Sequence, residues 1–553
     1  MLRPSSRHRF VTAAAVTTSL ALLASGCAAS GSSTATDDTL TVFAGAQTPV
    51  VANFNPLSPS PLAGTNGLVY QPLFHFNRMS SEEPHPLIGT DYEFSADGRE
   101  LTVDIRDDAK WNDGEPITVD DVIFTFTYEF TRPETLTDAV AIDENTVKLV
   151  FSDPQFVNVV AILGMALILP QHIWEGNDDP TGGTNEDPVG SGPYVVDELS
   201  GGAYTFTANE EYWDEPALKD IRFLAIDGNQ AAEDLIAAGE IDYTSIFSAN
   251  YQSLVDGGMG YMVLPSDPTV LYTCSNAELG CVGPQTDPAV REAIYLAIDR
   301  ETITDKAFVG LTTPMSPTLA LLGRDDKWIG EGQPHEAPQT ADPAAAGAVL
   351  EAAGYTKNGD GIYEKDGVPL ELTMNSVDGW TDYNNAGKLI EEQARAAGIK
   401  ITAGTFSWQE FSDGRQTGQF ELMLGFMQTT PLADPWKIYN DFLTTTFTAP
   451  VGEELAPGHL NFSRYSNPIV DEAVKAAAAT DDEAVKAAAY DRIQTEIVRD
   501  LPYIPVNINA AQTFFNDTDY TGWPTEDDLY AYQQTGSALD MAYILQNLKP
   551  AEK

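Results

Sequence analysis

From Leu40 onward the chain alternates short apolar strands with helical segments, and this restricts it to an α/β architecture more tightly than any other feature. Leu40 to Phe43 reads as a strand. Leu101 to Arg106, LTVDIR, puts its apolar side chains on one face, as a half-buried strand does. A tight turn at Trp111 to Gly114 follows, then a helix near Thr118 whose first turn carries Asp120 and Asp121, where acids meet the positive end of the helix dipole. Pro288 to Leu296 and Thr340 to Ala353 read as helices, Leu370 to Met374 as a strand, and Asp471 to Val498 as two helices parted near Thr480 to Asp482. Asn358 to Gly367, with its Gly-rich turns, reads as a β-hairpin. Phe156 to Leu169 is apolar but shorter than the roughly 20 residues that cross a bilayer, so a buried helix is expected there. A chain of 553 residues can divide into two or three domains.

The first residues cannot join such a core. Arg3, Arg7 and Arg9 form a basic region, Val11 to Leu23 an apolar one, and Ala24-Ser25-Gly26 supply small residues before Cys27. This resembles a bacterial lipoprotein signal, with Ala24 where leucine is usual. The resemblance implies that residues 1–26 are removed and that Cys27 is lipidated, holding the protein at a membrane. Residues 27–39 then form a flexible tether, because AASGSSTATDD has no large apolar side chain. The expected location is the outer face of the cytoplasmic membrane.

With 82 acidic residues against 30 basic ones, the formal charge of -52 excludes nucleic acid as a natural partner, since phosphate binding needs the opposite sign. The acidic residues are spread through the chain, as on a solvated surface. Besides Cys27 the cysteines are Cys274 and Cys281, a close pair in a chain bound for an oxidising compartment, and a disulfide between them is expected. Two cysteines without a nearby histidine make no zinc site. His75, His85, His172, His335 and His459 are scattered singly in sequence, which argues against nickel or haem, and no metal or cofactor is expected.

Several strings occur in one order: Asn53-Phe-Asn-Pro56, Val69 to Phe74 as VYQPLF, Leu101 to Phe126, Ile168 to Trp174 as ILPQHIW, and Val189 to Tyr194 as VGSGPY. Asn209 to Trp213, Ala238 to Asp242, Asp287 to Arg300 as DPAVREAIYLAIDR and Leu501 to Pro505 complete the series. From about Leu40 to near the C-terminus, this order resembles the family 5 extracytoplasmic solute-binding proteins of ABC importers, the oligopeptide- and dipeptide-binding group.

The resemblance implies a two-lobed α/β fold of the periplasmic-binding-protein type II class, with an extra inserted subdomain and a hinged ligand cleft. Lobe I would span 40–270 with the subdomain at about 57–188, lobe II 271–508, and residues 509–553 would return to lobe I. The crossings are expected near Val270 to Asn276 and Ile504 to Ala510. The partners implied are an oligopeptide ligand and ABC permease subunits, and the protein would be a monomer and not an enzyme. Arg291 and Arg300 are expected to make ion pairs rather than touch ligand.

In peptide-binding members an aspartate three residues before an Asp-Pro or Glu-Pro pair anchors the ligand's amino group. Here the pair is Asp434-Pro435 and the anchor position holds Pro431, so Asp434 or another acid must substitute, or the ligand is not an N-terminal amine. Asp378 to Tyr383 and Gly522 to Glu526 resemble segments of members that take up β-linked oligosaccharides. Sugars bind to aromatic platforms ringed by polar groups. The candidate ligand residues are therefore Asn53, Asn55, Trp380, Asp382, Phe426, Asp434 and Trp436, with Trp408 and Trp523 weaker. A β-linked oligosaccharide is the alternative ligand. A secreted hydrolase is the alternative class, although no G-x-S-x-G elbow or H-E-x-x-H helix is present.

Overall fold

The structure, a computed structural model, describes residues 39–45, 50–58, 60–79, 83–177, 180–226, 228–428, 434–456 and 459–552. Cys27, the signal segment, most of the tether and Pro431 lie outside the described residues. Thr39, read from sequence as the end of the tether, opens the strand Thr39–Phe43.

Two long strands, Gly260–Thr273 and Tyr503–Phe515, organise the molecule. They pair antiparallel with each other along most of their length and lie at the centre of a ten-stranded sheet among the described residues. On one side Tyr243–Ser245 pairs with residues 513–515 of the second long strand and leads on to Thr39–Phe43, Asp220–Leu224, Ala203–Ala208 and Tyr194–Ser200. On the other side Leu422–Phe426 pairs with residues 269–273 of the first, and Glu371–Val377 and Lys400–Phe406 follow. The register between the long strands shifts between Pro265 and Pro268 and again between Thr269 and Val270. Proline donates no ladder hydrogen bond, so the two prolines mark where the sheet changes from one half to the other.

Apolar patterning built most elements where the sequence placed them. Leu101, Val103 and Ile105 are buried along Glu100–Ile105 while their neighbours are not, which seats a four-stranded sheet on a core containing Trp111, Val122 and Phe126. The helix Val119–Thr127 begins at Thr118, where the Asp121 carboxylate accepts from the Thr118 amide at 2.9 Å and from the Gln171 amide at 2.9 Å. Gly190 and Gly192 let this region close on its neighbour. A β-carbon at Gly192 would lie 2.1 Å from the Leu68 carbonyl oxygen, and one at Gly190 would lie 2.2 Å from that of Val69. Residues 356–369 form a small three-stranded meander. Cys274, which follows the first long strand directly, is disulfide-bonded to Cys281.

Two expectations are corrected. Phe156 to Leu169 is no continuous helix: a short turn at Phe156–Asn158 is followed by wide turns over Val160–Met165 and then by extended chain. Valines at 157, 159 and 160 disfavour helix, and Gly164 packs directly beneath the Phe76 ring. Arg291 and Arg300 do not rely on ion pairs; both spend their donors on main-chain carbonyls. Arg300, fully buried, donates through Nε and Nη2 to the Pro505 carbonyl at 3.0 and 2.8 Å and through Nη1 to that of Pro338 at 2.7 Å. Arg291 binds the carbonyls of Asp500 and Gln285 at 2.7 and 2.8 Å. Burial pushes both guanidinium groups down to about 10, which leaves them charged at neutral pH.

Two outcomes follow for stability. Gly192→Ala is expected to lower unfolding free energy by about 3 kcal/mol, read by chemical denaturation, because backbone rather than a movable side chain must give way. Arg300→Met strands the Pro505 and Pro338 carbonyls without donors and is expected to cost about 3 kcal/mol in the same assay.

Candidate ligand-binding site

Glu371–Val377 pairs in parallel with Lys400–Phe406 on one side and with Leu422–Phe426 on the other. The chain leaves this middle strand through helix Thr381–Ala396, returns in Lys400–Phe406, then passes through helix Trp408–Thr417 to Leu422–Phe426. Strand order therefore reverses at the middle strand, and in open α/β sheets the crevice at the carboxyl ends beside such a reversal is where ligands bind.

Each of the three carboxyl ends carries an aromatic side chain. Trp380 follows Val377 by three residues, Trp408 follows Phe406 by two, and Phe426 is the last residue of its strand. The rings converge on half-buried Trp380, whose centroid lies 5.8 Å from that of Trp408, 5.9 Å from Phe426, 6.0 Å from Phe411 and 5.2 Å from Tyr383. Trp408 is 48% exposed, so the group is not closed over as a core would be. The Arg415 guanidinium stands over the Trp408 ring, 5.1 Å from its centroid, which supports that ring from its edge of the group.

Polar groups flank the aromatics where the crossing strands pass. Asp382 lies in the first turn of helix Thr381–Ala396, and burial raises its carboxyl above the usual aspartate range, opposed by a hydrogen bond from Asn509 on the second crossing strand. Tyr383 accepts from the Thr269 hydroxyl at 3.2 Å, and the buried Tyr272 hydroxyl donates to the Phe426 carbonyl. Both tyrosines thus tie the aromatic group to the first crossing strand.

The structure brings Trp380, Asp382 and Phe426 together and sets the other sequence candidates in internal bonds. Asp434 is buried: its carboxylate accepts from the Trp436 amide at 2.8 Å and the Tyr490 hydroxyl at 2.5 Å, and pairs with the Lys486 ammonium. Trp436 is buried in the core, with its indole donating to the Val474 carbonyl at 3.0 Å. Asn55 is buried and donates to the carbonyls of Pro180 and Gly183, both at 2.7 Å, while Asn53 donates to the Ser58 hydroxyl at 2.8 Å. Trp523 packs against Tyr243 and Phe515. Trp408, a weaker candidate from sequence, joins this group, and Phe411, fully buried, packs beneath it. The signal was present in the Ser407–Glu410 capping box, which starts a helix immediately after a strand and sets Trp408 at its first position. The fold also gathers two histidines that are ten residues apart, with the His75 and His85 rings 5.7 Å from each other, and His75 Nε2 engages Asp540 at 3.0 Å.

Comparison with known proteins fits this geometry. Residues 83–449 match the model of the bacterial extracellular solute-binding proteins, family 5 middle. Protein XP55 of Streptomyces lividans is 29% identical over 420 residues, covering 74% of this chain and 72% of that protein. The periplasmic murein peptide-binding protein MppA of Escherichia coli is 25% identical over 470 residues, covering 78% and 80%. The crystal structure of the periplasmic oligopeptide-binding protein of an oligopeptide ABC transporter from Thermotoga maritima is 27% identical and superposes with a TM-score of 0.84, covering 93% of this chain and 99% of that one. A mannohexaose-bound structure from the same organism and transporter gives a TM-score of 0.79 at 27% identity, with the same coverage. With more than half of its length matching the family model, this α/β chain belongs to the bacterial extracellular solute-binding proteins of family 5.

Proposed function

We propose that the protein is the extracytoplasmic solute-binding lipoprotein of an ABC importer, capturing an oligomeric nutrient by hinge closure and delivering it to membrane permease subunits without chemical change. The observation that carries this reading is the aromatic group centred on Trp380, set at a strand-order reversal beside two crossing strands whose ladder is interrupted at Pro265 and Pro268. Lobe I would comprise residues 40–270 with the subdomain at about 57–188, lobe II residues 271–508, and residues 509–553 would return to lobe I. Lipid on Cys27 would hold this body at the membrane through the tether, as a monomer.

An oligopeptide ligand is supported by relatives named for oligopeptides and for murein peptides. A second reading, a β-linked oligosaccharide, is favoured by a specific observation: the Asp434 carboxylate is already spent on Lys486, Tyr490 and the Trp436 amide, while the exposed indole of Trp408 beside Trp380 suits the apolar face of a sugar. The mannohexaose held by a structural relative is in line with it.

Calorimetric titration with short peptides and with β-linked di- to hexasaccharides separates the two. Whichever class binds, Trp380→Ala is expected to weaken it at least tenfold, corresponding to the loss of one stacking platform of about 1.5 kcal/mol. Unchanged affinity in Trp380→Ala removes the aromatic group from the site. Asp434→Asn is expected to lower stability by about 3 kcal/mol, because it leaves Lys486 beneath the surface without its carboxylate. A variant that keeps its melting temperature and loses only peptide binding would make Asp434 the ligand's anchor instead.

A further inference from the structure

Asn509 stands where the second long strand steps out of its ladder. Pro265 pairs with Ala510 and Pro268 with Ile508, so Asn509 falls in the gap between the two pairs. We infer that Asn509 is a positioning residue of the ligand site: its side chain ties the first turn of helix Thr381–Ala396 to the second long strand and thereby holds Trp380 in place. The inference rests on the reading of the Trp380 group as ligand-bearing. It makes Asp382 the partner of Asn509 rather than a contact of the ligand.

The tie is built from the helix end upward. The helix opens on Trp380, whose side chain caps no amide. First-turn amides have no partner inside a helix, and the Asp382 carboxylate accepts from two of them, its own and that of Tyr383. It also accepts from the side chain of Asn509. The Asn509 amide is oriented for this bond: its Oδ1 accepts from the Ala510 amide at 2.8 Å, which turns Nδ2, the donor end, to Asp382. Nδ2 carries two hydrogens, and the Tyr383 hydroxyl is the second group it meets. One side chain thus bridges two consecutive residues of the helix.

That turn is what fixes Trp380. The Trp380 amide donates to the Val377 carbonyl at 3.2 Å, its carbonyl accepts from the Asn384 amide at 2.8 Å, and its ring lies 5.2 Å from that of Tyr383. The Thr269 hydroxyl donates to Tyr383 at 3.2 Å, so the first long strand grips the same turn from its own side. The groups that hold the Asp382 carboxylate are all neutral. An amide oxygen at that position can therefore accept the same bonds, whereas a ligand's ammonium would need the charge.

The test titrates the full chain by calorimetry with short peptides and with β-linked di- to hexasaccharides. The variants are Asn509→Ala, Asp382→Ala, the two combined, Asp382→Asn and Trp380→Ala. Asn509→Ala and Asp382→Ala are each expected to weaken the class that binds about tenfold, because a binding group must be held closely in its productive geometry. The combined variant should be no weaker than either alone, since both changes remove one tie. Asp382→Asn is expected to recover most of the affinity that Asp382→Ala loses. Additive losses in the combined variant, or unchanged affinity in Asn509→Ala beside a weakened Trp380→Ala, overturn the tie and leave the aromatic site standing. Loss of peptide binding in Asp382→Asn as complete as in Asp382→Ala overturns it as well, and makes Asp382 the anchor of a ligand ammonium. Should Asn509→Ala not fold, the two Asp382 variants decide, and equal affinities in them overturn the tie. Unchanged affinity in Trp380→Ala, or binding of neither class by the unaltered protein, removes the aromatic reading and the inference with it.

Discussion

The molecule depends on one antiparallel ladder. Gly260–Thr273 and Tyr503–Phe515 are the only elements shared by both halves of the large sheet among the described residues, so this pair joins the halves. The prolines within it do opposite jobs. Pro265 and Pro268 interrupt the hydrogen bonding and allow a change of register, while the carbonyl of Pro505 is clamped by two donors of the fully buried Arg300. A buried guanidinium with no carboxylate bound is costly unless its fork is satisfied, and here main-chain carbonyls satisfy it. The junction therefore combines an interrupted ladder with a carbonyl held by two donors.

The aromatic group sits where this ladder meets the parallel strands, and its position follows from topology rather than from any one residue. Three strands end at one level, and the chain reverses strand order there, so the residues just beyond each end are close in space although Trp380, Trp408 and Phe426 are far apart in sequence. Tyr272, Tyr383 and Asn509 connect that group to the two long strands by hydrogen bonds. The same half pairs buried Asp434 with Lys486 beneath the surface, where the pair fastens a helix and a loop.

Much of the scaffold was legible because local rules and tertiary packing agree. The alternation in Glu100–Ile105, the acids after Thr118 and the prolines that open Pro288–Ala297 and Pro468–Ala478 all act within a few residues. Phe156 to Leu169 escaped because an apolar run has no period of its own; Gly164 beneath Phe76 and burial among strands decided its irregular path. Arg291 and Arg300 were misread because sequence shows which acids are near along the chain, not which carbonyls a fold leaves without donors. Among the candidate residues, Trp380 and Trp436 were alike to sequence reasoning, and only the fold set Trp380 in a half-buried aromatic group while Asn55, Asp434 and Trp436 are consumed by internal bonds.

The sequence by itself determined the class of fold, the order of elements and the family, because these rest on patterning and on strings that keep their order along the chain. It also placed Cys274 and Cys281 within reach of each other through a short loop. Only the tertiary structure decided which aromatic residues form one group and which carboxylates and amides are consumed by internal bonds. The physical reason is that each of these depends on distances across a strand crossing, and a linear pattern carries no information about what lies on the far side of a sheet.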